Sequence, residues 1–391
     1  MGRKEGVATK LARVGVGFDR QFGSISVPIY QTAIYRYRKF GENLGYDYSR
    51  SENPTRRALE DAIAELEGGA RGLAFSSGMA AITAVATLFS PGDEVLVCDD
   101  LYGGTYRLFQ EIVARYGVTF TYADLSDLSV VEAHLSRGTV KAVFIETPTN
   151  PLLKVIDVVE VGKRAKEAGA LFIVDSTFLS PYLMRPIEYG ADIVVHSATK
   201  YLGGHNDLIG GLVVAADGEL GERLYFIQKA AGAILGPFDS WVLLRGMKTL
   251  AVRMEKAQEN AEKLARFLAD HPKVTDVYFP GLPDHPGRDV HFRQARGPGA
   301  VLSFRLHESV HVPTFFNSLR VVNLAESLGG VESLTTHPAT MTHADIPPEE
   351  REKLGITDSL VRISVGIEDG DDIVADVGEA IERASTSPPP S

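Results

Sequence analysis

Six short apolar runs, alternating with stretches of helical spacing, most constrain what this chain can fold into. They lie at 73–75 (LAF), 94–98 (EVLVC), 118–122 (VTFTY), 140–145 (VKAVFI), 171–174 (LFIV) and 193–195 (IVV). Runs this short and this apolar read as buried strands. Between them the spacing predicts helices at 55–67, 78–89, 105–116, 128–136 and 156–168. Buried strands alternating with helices predict an α/β fold with a mostly parallel sheet covered on both faces. A long helical stretch at 240–269 follows, and then the pattern changes. Strands at 274–279, 300–306, 321–325 and 360–365, with helices at 312–319 and 372–384, predict a smaller α+β domain. Residues 1–58 mix glycine, arginine and tyrosine without sustained periodicity and read as an arm. The expected division is arm 1–58, large domain 59–250 and C-terminal domain 251–391, whose tail STSPPPS is expected to be disordered.

Charge narrows the partners. The net charge of −11 disfavours nucleic acid and anionic membranes, which both want a basic face. The one cysteine, Cys98, lies within EVLVC and reads as a reduced core residue. No secretory or membrane-spanning run is seen, so a cytoplasmic protein is expected, and no metal site.

The chemistry centres on residues 191–211, ADIVVHSATKYLGGHNDLIGG. Lys200 follows a buried strand and so belongs at the mouth of the sheet, where open α/β sheets bind ligands. Partial desolvation there lowers an amine's pKa and frees it for Schiff-base formation. Ser197 and Thr199 flank it with hydroxyls able to hold a phosphate. These residues point to pyridoxal 5'-phosphate (PLP) on Lys200. A rival reading is an acyl-serine hydrolase, since Ser197-x-x-Lys200 fits S-x-x-K. Its companions are missing: no Ser-Asp-Asn occurs, and Lys248-Thr249 is followed by Leu250 rather than glycine.

PLP requires four further features. A carboxylate must balance the protonated pyridine nitrogen, and Asp175 ends the run LFIVD. Backbone N–H groups must meet the phosphate, and Ser77, Gly78 and Met79 open a helix after a strand. Arg50 can add a guanidinium matched to phosphate oxygens. A flat face must cover the ring, and Tyr102 sits in the loop after EVLVC. A cation must hold the substrate carboxylate. Arg362 interrupts the apolar run LVRISV, where it is costly unless it meets a ligand or an internal acid.

With those residues in view, the chain resembles the Cys/Met-metabolism family of PLP enzymes, which includes cystathionine γ-synthases, O-acetylhomoserine sulfhydrylases and cystathionine γ-lyases. The likeness runs from about residue 23 to 384. It rests on YSR–NPTR (48–56), SSGMAAI (76–82), LYGGTYR (101–107), ETPTNP (146–151), HSATKYLGGHND (196–207), FDSWVLLRGMKTL (238–250), AESLGGVES (325–333) and LVRISVGIED (360–369). The resemblance implies fold type I, the aspartate-aminotransferase-like architecture, in a homotetramer built from dimers that share active sites. It implies Lys200 as Schiff-base lysine and proton carrier, Asp175 on the pyridine nitrogen, and Tyr102 on the ring and in acid–base work. Gly78, Met79, Ser197 and Thr199 would hold the phosphate, with Tyr48 and Arg50 reaching that of a neighbouring subunit. Asn150, Ser327, Arg362 and Arg107 would bind an amino-acid substrate.

Family chemistry removes the γ-substituent of a homoserine-derived amino acid. The product is then either captured by a thiol or hydrolysed to 2-oxobutanoate and ammonia. LAFSSGMAAI and HPATMTHADIP are worded like bacterial synthases, so γ-replacement on an O-acyl homoserine is expected, with cystathionine γ-lyase the alternative. Gly104 stands where methionine γ-lyases carry a reactive cysteine, and Ser327-Leu328-Gly329 lacks the tryptophan of bacterial β-lyases. Two departures stand out. Ser176 replaces the usual asparagine after Asp175, which is expected to retune hydrogen bonding around the cofactor. Ser51 and Glu52 replace the arginine and glycine of relatives that accept succinyl esters, so like-charge repulsion favours acetyl.

Overall fold

The computed structural model describes residues 5–344 and 346–386. The apolar runs form strands β1 Arg71–Phe75, β2 Glu94–Cys98, β3 Thr119–Ala123, β4 Val140–Glu146, β5 Leu171–Asp175 and β6 Ile193–Ser197. A seventh, β7 Gly211–Ala215, is not among the predicted strands. They assemble into one sheet in the order β1-β7-β6-β5-β4-β2-β3. Neighbours from β6 through β3 are parallel, and β7 alone runs against both its neighbours. A sheet covered on both faces needs side chains apolar in both directions, which is why these strands show no alternation. Register sets Glu146 beside Asp175, and Asp175 beside Val195. The carboxyl ends of β4, β5 and β6 therefore come out together at one edge.

Helices cover the sheet. α1 is Val7–Ala12 and α2 is Pro54–Glu67. Asn53 caps α2 by accepting the N–H groups of Thr55 and Arg56, Pro54 occupies its first position, and Gly68 ends it at φ 78°. α3 is Gly78–Ala86 and α4 is Gly103–Arg107. The single helix predicted at 105–116 is instead α4, a π turn at Leu108–Ile112 and a 3-10 turn at Val113–Tyr116. The changed pitch keeps Phe109 buried, stacked 4.2 Å from Phe120. The helical stretch at 240–269 is likewise two helices, Pro237–Met247 and Leu250–Ala269. Arg253 explains the break. Its Nη2 donates to Gly246 O at 2.8 Å and its Nη1 to Tyr201 O at 2.7 Å, satisfying carbonyls outside any helical ladder.

Part of the expected arm has a core after all. Val7 and Leu11 of α1 are buried against α2 and the Leu250–Ala269 helix. Residues 22–48, by contrast, expose Phe22, Ile25, Ile34, Phe40 and Leu44. The smaller C-terminal domain carries strands β8 Val274–Tyr278, β9 Val301–Leu306, β10 Asn323–Leu324, β11 Leu334–Thr336 and β12 Leu360–Ser364, ordered β10-β11-β12-β9-β8. The strand predicted at 321–325 shrinks to two residues, and β11, unpredicted, sits between it and β12. The helix Gly370–Thr386 overruns the start of the expected tail, whose residues 387–391 lie outside those described. No described helix is long and apolar enough to cross a membrane.

Candidate active site

A cavity of about 810 Å³ opens where the carboxyl edge of the large sheet meets the C-terminal domain. Of the predicted site residues, Ser77, Gly78, Met79, Tyr102, Arg107, Asn150, Asp175, Ser197, Thr199, Lys200, Ser327 and Arg362 all line it. Tyr48 and Arg50 do not. The guanidinium of Arg50 lies 5.3 Å from the Tyr48 ring and donates to the carbonyl of Lys229, away from this cavity.

Lys200 follows β6 by three residues. Its Nζ donates to Ser327 Oγ at 2.9 Å, 127 positions away in sequence, rather than to Ser197. That geometry does not make the nucleophile–base pair an acyl-serine hydrolase needs. The Ser327 loop closes tightly here: a Cβ at Gly329, whose φ is 78°, would stand 2.6 Å from Tyr201 N and 3.0 Å from the Lys200 carbonyl carbon. Burial, followed by the positive charge of Arg362, pushes the Lys200 amine down to about 8. A free lysine stays protonated until about pH 10. Capture of PLP by cofactor-free protein should therefore accelerate about tenfold per pH unit up to about 8, then level off. Rates still climbing at pH 10 would show that burial does not act on this amine.

Asp175 ends β5. Its Oδ1 accepts the Thr177 N–H at 3.0 Å and the Thr177 hydroxyl at 2.6 Å, leaving Oδ2 outside both bonds. Burial raises its pKa while the Thr177 bonds pull it down. Glu146, its neighbour in register, is a site residue the sequence reading missed. It accepts the Tyr102 backbone N–H at 3.0 Å, and burial beside the Asp175 charge pushes its pKa well up. Tyr102 begins α4 as its cap residue, and burial raises its phenol as well. Glycine at 104 gives that ring its room, since a Cβ there would meet Tyr102 Cε1 at 2.4 Å.

At the anion end, Ser77 caps α3, its hydroxyl accepting Ala80 N–H at 3.0 Å. A Cβ at Gly78 would lie 3.0 Å from Ser197 Cβ, so the helix start and the end of β6 touch. Thr199 Oγ1 receives Gly210 N–H at 3.1 Å, fixing its hydroxyl beside them. Opposite, Arg362 in β12 is 2% exposed. Its Nη1 donates to Asn150 Oδ1 at 2.8 Å and its Nη2 to Ser327 O at 3.1 Å. Among the described residues it makes no ion pair, although the Glu326 and Glu146 charges act on it without contact. Its Nε is buried without a partner. Burial lowers its pKa to about 10.

Two expected departures look different in three dimensions. Ser176 is fully buried, its hydroxyl has no partner, and it does not line the cavity, so it retunes no bond to a ligand there. Glu52 lies 3.4 Å from Arg57, which offsets its charge.

The residues fit PLP. A desolvated amine, a carboxylate with an oxygen to spare, a helix N-terminus packed on Ser197 and a buried guanidinium with an unused N–H share one cavity. Known proteins agree. The profile of the Cys/Met metabolism PLP-dependent enzymes matches residues 8–382. A cystathionine gamma-lyase of Bacillus subtilis (strain 168) is 52% identical over 96% of this chain and 99% of its own. A cystathionine gamma-synthase/O-acetylhomoserine (thiol)-lyase of the same strain is 52% identical over 96% of each. The crystal structure of cystathionine gamma-lyase from Lactobacillus plantarum, complexed with L-serine, superposes with a TM-score of 0.95 at 47% identity, covering 97% of this chain and 99% of that one. Site geometry, fold and likeness over nearly the whole length lead to one conclusion: this chain is a PLP-dependent enzyme of the Cys/Met metabolism family, in its cystathionine γ-synthase/lyase branch.

Proposed function

We propose that the enzyme carries out γ-elimination on cystathionine, which with one water yields cysteine, 2-oxobutanoate and ammonia. The observation that carries this is charge of both signs in the cavity wall beyond the carboxylate clamp. Glu326 and Arg107 both line the cavity with Tyr102, and Glu326 acts on the Lys200, Tyr102 and Arg362 charges. Such a pair suits the distal ammonium and carboxylate of a second amino-acid head, which cystathionine carries whole and cysteine would bring to a replacement, whereas sulfide and an acetyl group bring neither. Likeness to the two gamma-lyases supports the same reading.

Bound PLP supplies an electron-withdrawing ring that acidifies the substrate Cα. The chain does the rest. Lys200 would hold the cofactor and carry protons, Asp175 would balance its pyridine nitrogen, and Tyr102 would cover its ring. Gly78, Met79, Ser197 and Thr199, with the Ser77 turn, hold the phosphate. Arg362, carried by Asn150 and Ser327, holds the α-carboxylate, and Arg107 the distal one. Tyr48 and Arg50, outside this cavity, are assigned to a second copy of the chain, in keeping with a homotetramer and with the apolar side chains exposed along 22–48.

γ-Replacement on an O-acyl homoserine with cysteine or sulfide is the second reading, supported by likeness to the cystathionine gamma-synthase/O-acetylhomoserine (thiol)-lyase; Ser51 and Glu52 bear only on the choice of acetyl over succinyl ester. Two assays separate them. Release of 2-oxobutanoate from cystathionine alone should exceed cystathionine formation from O-acetylhomoserine plus cysteine; the opposite ranking overturns the proposal.

A further inference from the structure

Residues 337–344, HPATMTHA, take no part in the roles assigned above, yet they pack directly on the cavity. Met341 and Thr342 are in its wall, and the next residue, His343, is 0% exposed. Its Nε2 lies 3.2 Å from Leu101 O and 3.0 Å from Asn150 O, and its Nδ1 lies 2.8 Å from Thr342 Oγ1. Carbonyl oxygens only accept, so Nε2 carries the proton and shares it between them. Nδ1 then accepts the Thr342 hydroxyl. Every polar atom of a neutral ring is used. Burial, reinforced by the Arg362 charge and opposed by the two carbonyl bonds, lowers its pKa to about 4, so the ring stays neutral in working conditions.

The two carbonyls give this ring its interest. Leu101 immediately precedes Tyr102, on the loop after β2. Asn150, on the loop after β4, carries the guanidinium of Arg362. One imidazole from the C-terminal domain thus bridges the loop that covers the ring site and the loop that supports the carboxylate clamp. A second contact shows how closely these segments sit: a Cβ at Gly103 would stand 2.4 Å from Thr342 O. The histidine's own segment is fastened from behind. Arg351 Nη1 donates to Ala339 O at 2.8 Å, and His337 Nε2 lies 2.8 Å from Asp358 O.

We propose that His343 is a positioning residue, a clasp that holds Tyr102 and the Asn150–Arg362 clamp at a fixed separation. It rests on reading Tyr102 and Asn150 as ring-facing and substrate-facing residues, and is indifferent to elimination or replacement.

The test compares His343→Leu, His343→Gln and His343→Asn as holoenzymes, by kinetics and by amide hydrogen exchange. Leucine removes the donor. Glutamine can place an N–H near the Nε2 position, whereas the shorter asparagine reaches only the Nδ1 position. Misplacing reacting groups by about 1 Å costs about 100-fold, so His343→Leu and His343→Asn should lose about 10- to 100-fold in kcat/KM. Exchange should quicken in 101–107 and 149–154 while β5 stays protected, and His343→Gln should recover most of both losses. Unchanged exchange in the two loops of His343→Leu overturns the clasp. So does a His343→Gln enzyme as impaired as His343→Asn, which would show that ring volume matters and the donor does not. If His343→Leu fails to fold, the glutamine–asparagine comparison still decides. Tyr102→Phe and Arg362→Lys serve as controls: full activity in both would fault the site reading, while the exchange data would still report on the clasp.

Discussion

Lys200→Ala should lower kcat by about 10⁴-fold or more if Lys200 has the proposed role, since one substitution would then remove both the group that holds the cofactor and the group that moves protons. Among the described residues that line the cavity, Lys200 is the one lysine. Nζ of Lys200 is held by Ser327 Oγ at 2.9 Å, and its low pKa arises from burial and from Arg362, conditions that an exposed lysine does not share. Lys200→Arg isolates the cause. It keeps a cation of similar reach that stays protonated and cannot form an imine. It should be as inactive as the alanine enzyme, and neither should carry a borohydride-stable label at position 200. The variants should still bind PLP non-covalently, because the anion site at Ser77, Gly78 and Ser197 is untouched. An alanine enzyme retaining a tenth of wild-type turnover would remove Lys200 from the chemistry. Ser197→Ala, by contrast, should weaken phosphate binding and leave turnover at saturating PLP within about tenfold, the loss typical of one hydrogen bond.

Some of this site was legible because its residues terminate recognisable runs. Asp175 ends LFIVD and Lys200 follows IVVHS, and a parallel sheet forces such ends to one edge. Glu146 also ends a strand, but only register reveals that it stands beside Asp175. No spacing rule links Asn150 to Arg362, which meet across 212 positions because the C-terminal domain folds back over the sheet. His343 was equally hidden, since a histidine between threonine and alanine carries no pattern of its own. The helix break at Lys248-Thr249 shows the limit from the other side. The apolar spacing there favours continuation, but Gly246 and Thr249 are weak helix formers, and Arg253 reaches back to Gly246 and across to Tyr201 where the two helices part.

Arg362→Lys should raise the barrier in kcat/KM by roughly 2–4 kcal/mol, about 30- to 800-fold, with every amino-acid substrate. The wild-type side chain is 2% exposed, and its two terminal nitrogens are committed to Asn150 Oδ1 and Ser327 O, which fix the plane of the guanidinium. Lysine keeps the charge but gathers its three donors on one nitrogen, which cannot reproduce the planar fork that reaches both oxygens and still faces a ligand. The loss should be equal for cystathionine and O-acetylhomoserine, because both present the same α-carboxylate. Arg362→Ala is a poorer probe: it strands Asn150 Oδ1 in the core and mixes lost stability with lost binding. The decisive comparison uses an amine substrate analogue without the α-carboxylate. If Arg362 grips that group, the analogue's already low kcat/KM should barely change in Arg362→Lys, and the borohydride label should remain on Lys200. An equal loss with the analogue would mean that Arg362 matters by holding Asn150 and Ser327 in place. The guanidinium would then belong to the architecture of the cavity and not to recognition of its substrate.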